Sequence, residues 1–316
     1  MKIGIVGTGM IVRMVAPNLK SWGIDIVAVA GTPASMGEVN ELADEYGAAG
    51  RYADYHDLVA DPEVDTVYVA VPNFLHYAVS EAALKAGKDV VCEKPLASNF
   101  REAEKLAQLA KAEGRFLWEA VVTTRQPNFK LVRDELLAKI GTIKAVSVNY
   151  SQYSSRYDAF KNGTVAPAFD PAKSGGALMD LNLYNLHYLL GLFGVPASVR
   201  YLPNIEKGID TSGILTLDFD SFKAVSIAAK DCGAPSVMQV QGTDGYVVSN
   251  SQPNICGEVK LHMNDGTEET FDLSRPVMWQ AEFEEFKAQQ EAGDLAECYR
   301  QLDESLLVSR IQNTIR

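Results

Sequence analysis

A strand-like run that meets glycines at once opens this chain: Lys2 to Val6, then Gly7-Thr8-Gly9-Met10-Ile11. That order constrains the fold more than any other feature. A buried strand that turns tightly at Gly7 and enters a helix at Met10 brings orphan backbone N–H groups and a partial positive charge to one point. Gly9 lets an anionic group approach the backbone. The third small residue of a dinucleotide fingerprint is replaced by Val12, which loosens the helix–strand packing rule and leaves the phosphate logic intact.

The next hundred residues repeat this strand–helix rhythm. Val- and Ile-rich runs with little alternation predict strands at 2–6, 25–30, 66–71, 89–92 and 116–121, covered on both faces. Helical patterns predict helices at 10–22, 36–46, 74–86 and 100–113, stopping at Gly23, Gly47, Gly87 and Gly114. Such alternation gives an α/β, doubly wound parallel sheet. After about residue 125 the rhythm changes. A helix at 128–139 and a strand at 143–153 precede a polar, aromatic stretch at 154–174. A helix at 181–193 then leads to strands at 213–219, 222–228, 236–242, 246–249 and 258–263, with a hairpin signal at Asn264-Asp265-Gly266. Helices at 279–292 and 295–315 close the chain. The expected division is residues 1–122, then 123–316 as an α+β domain on a large, mostly antiparallel open sheet.

Charge narrows the partners. There are 41 acidic and 29 basic residues, a net charge of −12, so neither a nucleic-acid binder nor a docker on anionic membranes is expected. The uncharged run 181–199 is interrupted by Asn182, Asn185, His187 and Pro196; a buried or cleft-lining helix is expected there. The four cysteines form no C-x-x-C pair, read as small core residues of a reducing compartment, and offer no metal site. With no apolar leader after Met1, a cytoplasmic protein is expected.

Three further places carry chemistry. After the second strand, Ala30-Gly31-Thr32-Pro33 has neither an acid for ribose hydroxyls nor an Arg for a 2′-phosphate, while Thr32 and Ser35 could donate to a phosphate. The cofactor is NAD or NADP, with a lean to NADP. Lys94, in Glu93-Lys94-Pro95, stands at the carboxyl end of a strand, where ligands of such sheets sit. A lysine titrates near 10.4, so proton transfer there needs desolvation or a positive neighbour such as an oxidised nicotinamide. Beyond Gly175-Gly176, the residues Asp180, Tyr184 and His187 are spaced i, i+4, i+7, one face of a helix. An acid, a phenol and an imidazole there could bind a hydroxyl-rich substrate and exchange a proton with it; packing is the competing role, above all for His187. Tyr150, Tyr153, Tyr157, Phe160 and Phe169 either line an apolar pocket or pack strand and loop.

Taken together, the glycine turn, Pro72-Asn73-x-x-His76, Glu93-Lys94-Pro95 and Gly175-Gly176…Asp180…Tyr184…His187 resemble the Gfo/Idh/MocA oxidoreductases over nearly the whole chain. The resemblance implies an N-terminal Rossmann domain and a C-terminal domain whose open sheet oligomerises through its outer face, as a homodimer or homotetramer. It implies hydride transfer between NAD(P) and a small sugar, polyol or dihydrodiol-like compound. Lys94 would be catalytic with Tyr184 and Asp180. Pro72, Asn73, His76 and Glu93 would lie by the cofactor, and Arg125 and His187 by the substrate, with an interdomain ion pair as the other role for Arg125. Tyr184, where many sugar and inositol dehydrogenases carry His, resembles the dihydrodiol-dehydrogenase-like members. The alternatives are a sensor that binds dinucleotide without turnover, or a reductase of a non-sugar carbonyl or imine.

Overall fold

Lys2–Val6 (β1), buried at four of five positions, is the centre of a six-stranded parallel sheet. Its other strands are Asp25–Ala30 (β2), Gly50–Tyr52 (β3), Thr66–Val69 (β4), Asp89–Glu93 (β5) and Leu117–Ala120 (β6), in the order β3-β2-β1-β4-β5-β6. Every residue of β4 and β6 is buried, so both faces are covered, with the polar Thr66 and Glu119 buried among the apolar residues. The order reverses between β1 and β4, and the crevice beyond their carboxyl ends is where a doubly wound sheet takes a ligand. Helices at Met10–Leu19, Met36–Tyr46, His76–Lys85 and Phe100–Glu113 connect the strands. Asn99 caps the last of these, its Oδ1 accepting the Glu102 N–H at 3.0 Å. The sequence reading omits β3 and the helix Tyr55–Ala60; three and six residues are too few to show a period.

The computed structural model describes residues 1–315, which fall into two compact units: Met1–Ala120 with Glu282–Leu306, and Val121–Ala281 with the residues from Leu307 onward. A boundary at 122 leaves 282–306 with the second half, but this segment packs on the first sheet. Phe283 and Phe286 are fully buried. Phe286 stacks on Trp118 at 5.2 Å and Phe283 meets Tyr68 edge-on at 5.6 Å. The Trp118 indole N–H donates to Gln289 at 2.7 Å, and Gln290 donates to Thr66 and Asp89 at the strand starts, both at 2.8 Å. Sequence periodicity says that a helix has an apolar face, not which sheet that face covers.

The second unit is built on eight strands: Ile143–Ser151 (β7), Ser198–Glu206 (β8), Ile209–Asp218 (β9), Lys223–Ala229 (β10), Val237–Gly242 (β11), Gly245–Ser249 (β12), Val259–Met263 (β13) and Glu268–Phe271 (β14). Their order is β14-β13-β12-β11-β7-β10-β9-β8, antiparallel except where β10 runs parallel to β7. The expected hairpin at Asn264-Asp265-Gly266 joins β13 to β14. The strand β8 escapes sequence reading because Pro203 interrupts it; as an edge strand it tolerates a missing N–H. One sheet face buries Val146, Val148, Leu215, Leu217 and Val240 with Leu183, Leu186 and Leu190 of the helix Asn182–Phe193. The opposite face leaves Leu202, Ile214 and Tyr246 exposed. Among the described residues no helix is long and apolar enough to cross a membrane.

Candidate active site

Two sets of candidate residues lie in the two units. In the first unit, the turn after β1 is fastened by its backbone: Gly7 N–H donates to the Ala30 carbonyl and Ala70 N–H to the Val6 carbonyl, both at 2.9 Å. Gly7 has φ +119°, and a Cβ there would run into the Ala70 carbonyl, so both conformation and space demand glycine. At Gly9 a Cβ would meet no atom of the chain within 4 Å; nothing in the fold requires glycine there, and the open space is room for a ligand. Gly9 is the N-cap of Met10–Leu19, with no side-chain cap and no acid in the first turn. The first N–H groups of that helix are therefore left for an anion. This cradle fits a pyrophosphate. Val12, at the third fingerprint position, is fully buried. Thr32, exposed after β2, forms a capping box with Ser35, whose Oγ accepts the Thr32 N–H at 2.8 Å.

Lys94 follows β5 on a loop held at consecutive positions. The Glu93 carboxylate accepts the Tyr68 O–H at 2.6 Å. His76 Nδ1 lies 2.7 Å from the Pro95 carbonyl and Nε2 2.9 Å from the Val71 carbonyl. Leu96 N–H donates to Glu119 Oε1 at 2.9 Å, and the Lys94–Pro95 bond is cis. Tyr68 and His76 are fully buried and Glu119 nearly so. Burial pushes the Glu93 carboxyl and the Tyr68 phenol up, and holds the His76 imidazole below its ordinary value against the pull of its two carbonyls. Lys94 itself is half-buried. His76, expected beside a cofactor, has no exposed surface in this structure and holds the loops of Val71 and Pro95 together. Glu93 likewise turns its carboxylate to Tyr68. Pro72 is exposed and Asn73 half-buried beside exposed Phe74. Met10 and Phe74 thus follow β1 and β4 as bare apolar side chains at the carboxyl edge of neighbouring strands.

In the second unit the expected single helix is broken. Ala177–Asp180 ends at Leu181 (φ −103°), and Asn182–Phe193 begins anew. Of the three stripe residues, Asp180 and Tyr184 stay half-buried, whereas His187 is 2 % exposed and packs in the core. His187, expected beside the substrate, is thus the buried member of the three. Arg125, on the turn Thr123–Arg125, is also buried, at 5 % exposure. The Gly175-Gly176 pair has a local cause. A Cβ on Gly175 would crowd the backbone of residues 167–170, and Gly176 takes φ +105° against the Asp210 carboxylate. Asp210 in turn accepts the Leu178 N–H at 2.6 Å and the Tyr201 O–H at 2.7 Å.

Sequence reading missed Lys230, the first residue after β10. Its Nζ lies 2.7 Å from Asp180 Oδ2 and donates to the Ala168 carbonyl at 2.7 Å; the Phe169 ring centroid is 4.8 Å away. Lys230 is 3 % exposed, while the Asp180 side chain keeps 32 % of its surface. A lysine closing the apolar run 224–229 was the one available signal. The aromatic stretch resolves to packing: Phe160 and Phe169 are buried with Ile209 under Tyr157, and Tyr150 packs on Tyr184. Cys92, Cys256 and Cys298 are buried as expected, but Cys232 is exposed.

Comparison with known proteins agrees with this layout. Residues 1–121 match the oxidoreductase family with an NAD-binding Rossmann fold, and residues 135–248 match the GFO/IDH/MocA C-terminal domain. The chain is 36 % identical over 289 residues to scyllo-inositol 2-dehydrogenase (NADP(+)) of Bacillus subtilis, covering 89 % of this chain and 86 % of that protein. It is 29 % identical over 249 residues to trans-1,2-dihydrobenzene-1,2-diol dehydrogenase of Mus musculus, covering 77 % and 72 %. The structure of a 3-ketoreductase from Actinomadura kijaniata with NADP and TDP-benzene superimposes with a TM-score of 0.84 at 21 % identity, covering 100 % of this chain and 97 % of that one.

Proposed function

The chain belongs to the Gfo/Idh/MocA oxidoreductase family, and from that premise we propose that it transfers hydride between NADP, in preference to NAD, and a hydroxyl-bearing carbon of a cyclic polyol, sugar or dihydrodiol. The observation that carries this reading is the fastening of the Lys94 loop by three buried side chains, Tyr68, His76 and Glu119. A surface lysine needs no such support; a proton-transferring lysine needs a fixed position. The preference for NADP is supported by the absence of an acid after β2 and by the NADP-dependent relative from Bacillus subtilis.

When bound, the nicotinamide supplies or accepts the hydride. Gly7, Thr8, Gly9, Met10 and Ile11 hold the pyrophosphate by backbone N–H groups. Thr32 contacts the adenosine ribose end, and Pro72 and Asn73 the nicotinamide end. Asp180 accepts a hydrogen bond from a substrate hydroxyl. Lys94 Nζ or Tyr184 Oη takes the hydroxyl proton in oxidation and returns it in reduction. The first 122 residues thus serve the cofactor, with 282–306 completing their sheet, and the remainder serves the substrate.

The exposed apolar residues Leu202, Ile214 and Tyr246 support a homodimer or homotetramer through the outer face of the second sheet, which light scattering of the purified chain checks. Four free cysteines, three of them buried, support a reducing, cytoplasmic setting. The deciding experiment is a titration with NADPH and NADH followed by tryptophan fluorescence, then turnover with scyllo-inositol, D-xylose and a trans-dihydrodiol. Tighter NADPH binding and turnover of one of these is expected. Binding without turnover on a broad polyol and carbonyl panel identifies a sensor instead.

A further inference from the structure

We propose that Lys230 is a positioning residue that locks the orientation of Asp180 to the seating of the loop 164–174. Its ammonium, almost fully buried, joins two segments: the Asp180 carboxylate on one side, and the Ala168 carbonyl and the face of Phe169 on the other. The Ala168 carbonyl is itself a junction, because it also accepts the Gly176 N–H at 3.1 Å, and Gly176 accepts the Asp180 N–H through its own carbonyl at the same distance. The chain from Ala168 through Gly176 to Asp180 is thereby closed into a ring, with Lys230 as the side-chain link. Lys230 is anchored from behind by its own N–H, which donates to the Thr211 carbonyl at 2.8 Å.

A half-buried carboxylate can turn about two side-chain torsions. One oxygen pinned by a buried ammonium narrows those torsions, while the side chain keeps 32 % of its surface exposed. A buried lysine is costly unless it is paired, and the residues before it in β10 are mostly apolar. What the charge adds is a tie between Asp180 and the loop, so that the loop cannot shift without disturbing the acid. Substrate groups that press on residues 164–174 therefore alter the hydrogen-bond acceptor as well as the wall.

This inference rests on the reading of Asp180 as a substrate contact, and its test separates the two. Lys230→Gln keeps a donor for the Ala168 carbonyl and removes the charge; Lys230→Met removes both. With the best substrate of the panel, Lys230→Gln is expected to lower kcat/KM by about 30-fold, the size of a lost hydrogen bond to a charged group. The Kd for NADPH should stay within about twofold, since no part of the glycine turn is touched. In an Asp180→Asn background the same substitution should change kcat/KM by less than about threefold, because residues acting through one another are not additive. Effects that multiply in the double variant overturn the proposal. Trypsin cleavage after Lys161 and Lys173, followed without substrate, reads the loop directly. It should accelerate about tenfold in Lys230→Met at a temperature where both proteins are folded by circular dichroism. Unchanged cleavage overturns the fastening. Wild-type protein that binds NADPH but turns over nothing overturns the functional reading instead, and the cleavage arm still decides the lock.

Discussion

The glycine turn and the Asp180 region, the two places proposed to hold a small molecule, are built by opposite means. The first is made of backbone. Its donors are N–H groups at one helix start, its shape is set by Gly7 and Gly9, and its parts are adjacent in sequence. The second is made of side chains from four separate segments: Ala168 and Phe169 on the loop, Asp180 after Gly176, Asp210 in β9 and Lys230 after β10. A backbone site tolerates change in most side chains around it but not in its glycines. A side-chain site depends on each of its members, and on charges that must be matched because water reaches them poorly.

The sharpest test of that contrast is Lys94→Ala. The Lys94 side chain belongs to the chemistry and the cradle does not need it, so kcat should fall at least about a hundredfold while the Kd for NADPH moves by less than about twofold. Stopped-flow single turnover and equilibrium titration measure the two; an equal loss in both would place Lys94 in the cradle instead. Next in size is the pair of glycine substitutions. Gly9→Ala should weaken NADPH about tenfold, roughly one hydrogen bond, with an unchanged Tm, because its Cβ meets nothing in the protein. Gly7→Ala should lose binding and Tm together, because its Cβ strikes the Ala70 carbonyl at a positive φ. If Gly9→Ala unfolds the protein, its glycine serves the fold and not a ligand.

The smallest effect concerns His76. Burial keeps its folded pKa below the ordinary 6.5. The unfolded chain therefore binds a proton that the folded one refuses. The stability His76 confers is complete above about pH 6.5 and declines as pH falls toward the folded value. A Tm series from pH 7.5 to pH 5 should show this decline, and His76→Asn should flatten it. A decline that persists in the variant would assign the effect to another group.

How much of this was legible in the sequence follows from the same contrast. The strands β1, β2, β4, β5 and β6 could be read because burial on both faces leaves short, mostly apolar runs, rich in Val and Ile in all but β6. The Gly7–Ile11 turn was legible because its function requires particular residues in a row. The strand β8 was hidden by Pro203, and β14 by four mostly acidic and polar residues at the sheet edge. Lys230 was invisible because its partners lie 50 and 62 positions away and no period links them. The i, i+4, i+7 stripe was correct arithmetic on a helix that does not run through: the break at Leu181 detaches Asp180, and core packing claims His187. The burial of His76 was hidden for the same reason, since a motif position says nothing of whether its side chain faces in or out.

Residues 282–306 carry a consequence for how the molecule is made. The sheet formed by β1 to β6 is finished by Phe283, Phe286, Gln289 and Gln290, which are synthesised long after β6. At about 5–20 residues per second, the first sheet waits roughly 10–40 s with Trp118 lacking Phe286, one of its two stacking partners. Until then the nascent N-terminal half exposes apolar surface that a chaperone can recognise, and the glycine turn forms on a unit that is not yet complete. Ribosome-bound chains released before residue 282 should accordingly be protease-sensitive throughout their first 120 residues, although those residues contain all six strands.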